Sequence, residues 1–266
     1  MKRGHAVYGA FATGQTPTIA CFNQASTPLG MDVDKLLAAM QKYVDTCVAP
    51  VWGTPARLLK TTGFLPGAWA MVFLDRADAP GALAYHDLTP DGLPLSKVFV
   101  ETILDDAASV SVAASHELVE MLVDPAINLY SIGPNPRWLY AYESADPVEE
   151  ECFPIGGVAM SDFVYPSFFE VFRKPGSIAF DFLKKVHRPF QILKGGYQIV
   201  IRNGKESQIF GSKAKEKRFR QEARLGHRSQ YREFPGGRHV HGRDCRSRPR
   251  PGKVLRDFGR RRRPGA

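Results

Sequence analysis

Ser115-His116-Glu117-Leu118-Val119-Glu120-Met121-Leu122-Val123-Asp124-Pro125 is the stretch on which the reading of this 266-residue chain turns. Val112, Leu118, Val119, Leu122 and Val123 recur at helical spacing, which predicts a helix over residues 107–124 that Pro125 ends. Ala113-Ala114-Ser115 before the charged residues and Leu118-Val119 among them make this helix too apolar for a surface position. His116, Glu117, Glu120 and Asp124 must then fall near a core, and buried carboxylates need partners.

Outward from that helix, strand and helix signals alternate. Residues 18–23 read as a buried strand, followed by a turn at Ser26-Thr27-Pro28-Leu29-Gly30. Val33, Leu36, Leu37, Met40, Tyr43, Val44 and Cys47 predict an amphipathic helix over 32–49, capped by Asp32 and stopped by Pro50. Strands are expected at 57–62, at 69–75 (continuously apolar, so interior to a sheet), at 82–86 and at 97–100, with a turn at Thr89-Pro90-Asp91-Gly92. Residues 158–169 read as aromatic-rich and irregular, and 197–205 as a hairpin. This order indicates α/β or α+β architecture rather than all-β.

The chemistry lies in the spacing. Positions four apart on a helix share a face, so His116 and Glu120 point the same way and can grip one cation. Glu117, about 100° round the helix, reaches water at that cation without ligating it. This is the mechanical logic of HExxH zinc sites, with a carboxylate in place of the second histidine. A catalytic site of this kind takes three protein ligands. Tyr142-Glu143-Ser144-Ala145-Asp146-Pro147 supplies two carboxylates that share a face if the segment is helical. Glu143 is then the third ligand and Asp146 orients His116 through its other ring N–H, or the roles are reversed. Asp124 also lies on the correct face, as an alternative ligand or as a cap of the following loop. His86, Tyr140 and Tyr142 are candidates for contact with substrate or its oxyanion, each weighed against a packing role.

With these blocks in view, residues 115–125 and 142–147, together with Tyr85-His86-Asp87, Pro94, Val98-Phe99-Val100 and Ser161-Asp162-Phe163-Val164-Tyr165-Pro166, resemble a zincin-like family of the HExxE type encoded by phages and prophages. The resemblance spans residues 15–232. It implies a mixed twisted sheet, an edge strand over a cleft and the motif helix packed beneath it. The metal chemistry of the motif, rather than the resemblance, makes metallopeptidase-like hydrolysis of a peptide or protein substrate the expected function. One divalent metal, zinc or alternatively Mn²⁺, would be held by His116, Glu120 and Glu143, with Glu117 as general base. The alternative is a catalytically inactive zincin-like phage protein, structural or nucleic-acid-associated.

Composition bounds the rest. Residues 213–266 hold 19 Lys/Arg against 5 Asp/Glu, whereas the other 212 residues hold 17 against 22. The chain is therefore an acidic body with a basic end, and that end attracts phosphate backbones. The expected organisation is a flexible N-terminus at 1–14, a metal-binding domain at 15–210, a basic helix-like extension at 211–232 and a disordered Arg/Pro/Gly-rich tail at 233–266. The abrupt change after Arg232 also reads as out-of-frame translation of GC-rich DNA. No apolar run is long enough to span a membrane, and the start lacks the apolar core of a signal peptide, so the expected location is cytoplasmic or virion-associated. Cys21, Cys47, Cys152 and Cys245 form no CxxC pair, which excludes a disulfide scaffold and a zinc ribbon. Gly156-Gly157 and Gly195-Gly196 lack the spacing of a phosphate-binding loop.

Overall fold

The computed structural model describes residues 16–79 and 82–221. Its first layer grows from the apolar runs. β1 (Thr18–Asn23), β2 (Arg57–Lys60), β3 (Trp69–Leu74), β4 (Ala84–Leu88) and β5 (Pro94–Phe99) form one sheet in the order β2-β1-β3-β5-β4. All neighbours run parallel except β4, which pairs antiparallel with β5 at one edge. β3 is central and five of its six residues are buried, as its unbroken apolar run requires.

Both long helices cover one face of this sheet. α1 (Val33–Tyr43) is capped by Asp32, whose side chain accepts from the Lys35 N–H at 2.9 Å. Pro50 does not stop it. The chain passes through a π turn (Val44–Val48) into α2 (Ala49–Trp52) and ends at Gly53 in the left-handed conformation, φ 70°. Proline has no N–H and collides with a carbonyl one α-turn back, and the wider π turn relieves that clash.

The helix expected over 107–124 starts only at Val110, and a separate short helix precedes it. α3 (Val100–Asp105) closes where Ala107 N–H donates to Leu104 O and Ala108 N–H to Ile103 O, both at 3.0 Å, with Ala107 at φ 53°. Ser109 then caps α4 (Val110–Val123), the motif helix. Twelve of its fourteen residues are buried, so it is an interior helix throughout. It packs against β4 and β5 on one side. On the other, Ser111 Oγ donates to Ala159 O (2.7 Å) and Ser115 Oγ accepts from Ser161 N–H (2.8 Å). Trp69, Met71 and Phe73 of β3, Leu36 and Met40 of α1, and Leu118 and Leu122 of α4 share the main core.

A second, antiparallel sheet follows. β6 (Tyr130–Ile132), β7 (Trp138–Ala141), β10 (Tyr197–Arg202) and β11 (Lys205–Phe210) take the order β11-β10-β7-β6. The expected hairpin turn is Asn203-Gly204, at φ 52° and 71°. Residues 158–169 are more regular than their sequence reads. β9 (Val158–Ser161) pairs with β8 (Cys152–Ile155), and a 3₁₀ turn occupies Pro166–Phe169.

α5 (Lys213–Gln221) lies within the stretch read as a basic extension. Phe219 is 3% exposed and meets the rings of Tyr197 (4.9 Å) and Phe210 (5.1 Å), so this helix is docked rather than merely solvated. The expectations for 1–14, 222–232 and 233–266 lie outside the described residues. Among the described residues, no helix is long and apolar enough to cross a membrane. Cys21, Cys47 and Cys152 are free.

Candidate metal centre

α4 carries His116, Glu117 and Glu120 into the interior. His116 is 8% exposed, Glu117 2% and Glu120 0%. The four-residue spacing does what helix geometry demands: His116 Nε2 lies 3.3 Å from Glu120 Oε1. Asp146 Oδ1 approaches the same nitrogen at 3.2 Å. One nitrogen and two carboxylate oxygens thus converge, all within 4.8 Å of one another, in an arrangement that can hold a metal ion.

The segment that supplies Asp146 is not helical before that residue. Tyr142 to Ala145 form a loop after β7, and a 3₁₀ turn spans Asp146–Val148. Glu143 and Asp146 therefore do not share a helical face. Asp146 comes to His116 and Glu120, at the nitrogen Glu120 also faces rather than behind the ring. Glu143 goes instead to a second group with His86 and Glu120. Pro147 is the local signal for this, because proline favours the first position of a helical turn and so marks where the turn begins.

His86 enters from β4. It is 1% exposed, and its Nδ1 lies 3.3 Å from Glu117 Oε2 and 3.8 Å from Glu120 Oε2. Sequence reasoning places it as a substrate contact, whereas the structure places it among the carboxylates. Glu120 is held in register by the loop it faces: its Oε1 accepts from the backbone N–H groups of Ala145 (3.2 Å) and Asp146 (3.3 Å).

Asp124 follows the helix and is also buried. Its two oxygens accept from Asn128 N–H (2.9 Å) and Leu129 N–H (3.0 Å), which is the loop-capping role. Burial first, and Glu143 second, push its pKa up to about 7. For His116, burial opposes the charged form, but Glu120, Asp146 and Glu117 together outweigh it and hold the pKa well above the usual histidine value.

The two tyrosines pack. The Tyr140 ring meets Phe190 at 4.8 Å and closes over Gly133. Tyr142 stacks on Phe169 at 4.1 Å, and burial raises its pKa.

Five carboxylates (Glu117, Glu120, Asp124, Glu143 and Asp146) and two imidazoles are thus drawn together at 8% exposure or less. The buried Lys215 is engaged by Glu149 at 2.6 Å. Burying this many carboxylates is costly. Cations or shared protons must offset it, and the donor set suits a metal. His116 and Glu117 also line a cavity of about 640 Å³, together with Leu83, with Ala84 and Tyr85 of the edge strand β4, and with Val112 of α4. Comparison with protein families, with curated proteins and with solved structures finds no match to this chain.

Proposed function

We propose that the chain is a zincin-like, metal-dependent hydrolase acting on peptide bonds. The observation that carries this reading is the convergence of His116 Nε2, Glu120 Oε1 and Asp146 Oδ1 beside Glu117, at the wall of the cavity. Zinc accepts imidazole and carboxylate ligands at about 2.0–2.2 Å. Two carboxylates to one imidazole also suit the harder Mn²⁺. The ion supplies the Lewis acidity that makes water a nucleophile near neutral pH.

Glu117 takes the proton of that water and returns it to the leaving amine. It is the carboxylate of α4 that reaches the cavity yet stands outside the His116 group. The edge strand β4 lies along the same cavity, so an extended peptide finds a strand edge to pair with. A mixed sheet with an antiparallel edge strand and the motif helix against it is the arrangement a zincin-like core requires, which supports the reading.

Elemental analysis of purified protein beside His116→Ala tests the metal: a stoichiometric ion absent from the variant is the expected result. Digestion of a peptide library by wild type and Glu117→Gln tests the chemistry. Activity falling by at least about 10²-fold in Glu117→Gln, with metal retained, is expected for a lost general base. Unchanged cleavage refutes the assignment.

A second reading rests on charge alone. The excess of 19 basic over 5 acidic residues in 213–266 favours a nucleic-acid-associated protein with an inactive body. Protein free of metal whose DNA binding weakens with salt and disappears on truncation at Arg232 marks that case.

A further inference from the structure

We propose that the centre holds two divalent cations bridged by Glu120, the second carried by His86 and Glu143. This rests on the metal-centre reading above and extends it from one ion to a pair.

The geometry of Glu120 is the first ground. Its two oxygens face different histidines: Oε1 lies 3.3 Å from His116 Nε2, and Oε2 lies 3.8 Å from His86 Nδ1. Each histidine brings its own further carboxylate, Asp146 on one side and Glu143 on the other, and each three-residue group is closed within 4.8 Å. A carboxylate whose two oxygens serve two neighbouring ligand sets holds paired ions about 3.5–4 Å apart. Backbone N–H groups of Ala145 and Asp146 fix the Glu120 carboxylate from the loop side, so the bridge is oriented before any ion arrives.

The second ground is Ser96. It stands directly opposite His86 in the β4–β5 ladder, so both side chains leave the sheet on the face that α4 covers. Its hydroxyl is fully buried and has no hydrogen-bond partner among the described residues. A buried hydroxyl in that state, beside a histidine ringed by carboxylates, fits a ligand or its water at this position.

The two positions differ in access. His116 and Glu117 line the cavity, whereas His86, Glu120 and Glu143 lie behind them. The ion on His116 meets substrate, and the ion on His86 is the interior partner that draws charge from the shared carboxylate.

Loading the full-length chain with Mn²⁺ alone, dialysing it, and measuring manganese per chain and the electron paramagnetic resonance spectrum tests the pair. Two ions per chain with an exchange-coupled spectrum are expected, falling to one uncoupled ion in His86→Ala. The unmodified chain decides the question by itself, so a variant that fails to fold leaves the test intact. Two ions without coupling overturn the bridge. One ion, kept in His86→Ala and lost in His116→Ala, overturns the pair and leaves the single-ion hydrolase standing. One ion with the opposite pattern, or no ion at all, overturns both.

Discussion

Asp162 shows how much a single buried acid contributes to the behaviour of this chain. Its Oδ1 accepts from Phe163 N–H (2.8 Å) and Leu183 N–H (3.2 Å), while Asp181 faces it and is itself held by Lys185 N–H (3.0 Å) and Val186 N–H (2.9 Å). Burial, then the charge of Asp181, raises the Asp162 pKa well above the ordinary carboxylate range. The sign of the pH dependence follows. Between its unfolded pKa near about 4 and the raised folded value, the native state binds more protons than the unfolded chain. Stability therefore falls as pH rises through that window, by up to about 1.4 kcal/mol per pH unit. In Asp162→Asn the amide oxygen keeps the backbone bonds and the NH₂ group donates to Asp181. Thermal melts from pH 5 to 8 are expected to show a flatter profile for this variant and a higher midpoint at the alkaline end. Glu117→Gln belongs to the same scale but acts on the reaction: a neutral isostere at 2% exposure leaves packing unchanged, so circular dichroism and melting stay near wild type while cleavage fails.

At the scale of elements, the centre depends on how one turn is pinned. Asp146 is delivered by the 3₁₀ turn Asp146–Val148, and the chain just before β10 runs hard against it. A Cβ built on Gly196 would lie 2.2 Å from Pro147 O and 2.7 Å from Asp146 O, both backbone atoms with no flexible end to swing away. Gly196, in a glycine pair whose spacing has no phosphate-binding role, is explained by this close approach. Gly196→Ala must push the turn, and Asp146 with it, away from His116. A loss of about 1–3 kcal/mol of stability, read by denaturant unfolding, is expected together with weakened Mn²⁺ binding measured by calorimetry. Intact metal binding in this variant would show that Asp146 is not a ligand. The break at Ala107 has a comparable consequence for geometry. By turning the chain between α3 and α4, it lets Ser109 start the motif helix afresh and so sets the rotation at which His116 and Glu117 face the cavity.

For the whole molecule, the basic helix α5 is part of the body. Phe219 fills a gap against Tyr197 and Phe210, Lys215 pairs with Glu149 at 2.6 Å, and Arg218 pairs with Asp106 at 2.9 Å. These contacts join the second sheet to the wall of the cavity, where Lys215, Arg218 and Phe219 are also found. Phe219→Ala is expected to cost about 3 kcal/mol, seen as a lowered denaturation midpoint. Arg218→Ala, which removes a half-exposed ion pair, is expected to change stability by less than about 1 kcal/mol. Equal effects of the two would contradict the docking of this helix through its aromatic residue.

Local patterning was enough to determine that a buried helix carries His116, Glu117 and Glu120 on adjoining faces, that β1 and β3 are interior strands, and that Asn203-Gly204 turns a hairpin. Each of these follows from a repeat of a few residues, enforced by backbone geometry within one element. What the sequence left open was which distant groups meet that helix. Glu143 and Asp146 are three positions apart, yet they fall into different groups around Glu120, one with His86 and the other with His116, because the segment between them is a loop and not a helix. His86 joins through the register of β4 on β5, and Asp146 through a glycine that admits close backbone approach. Those choices are made by strand pairing and steric fit between segments remote along the chain, so only the tertiary structure decides them.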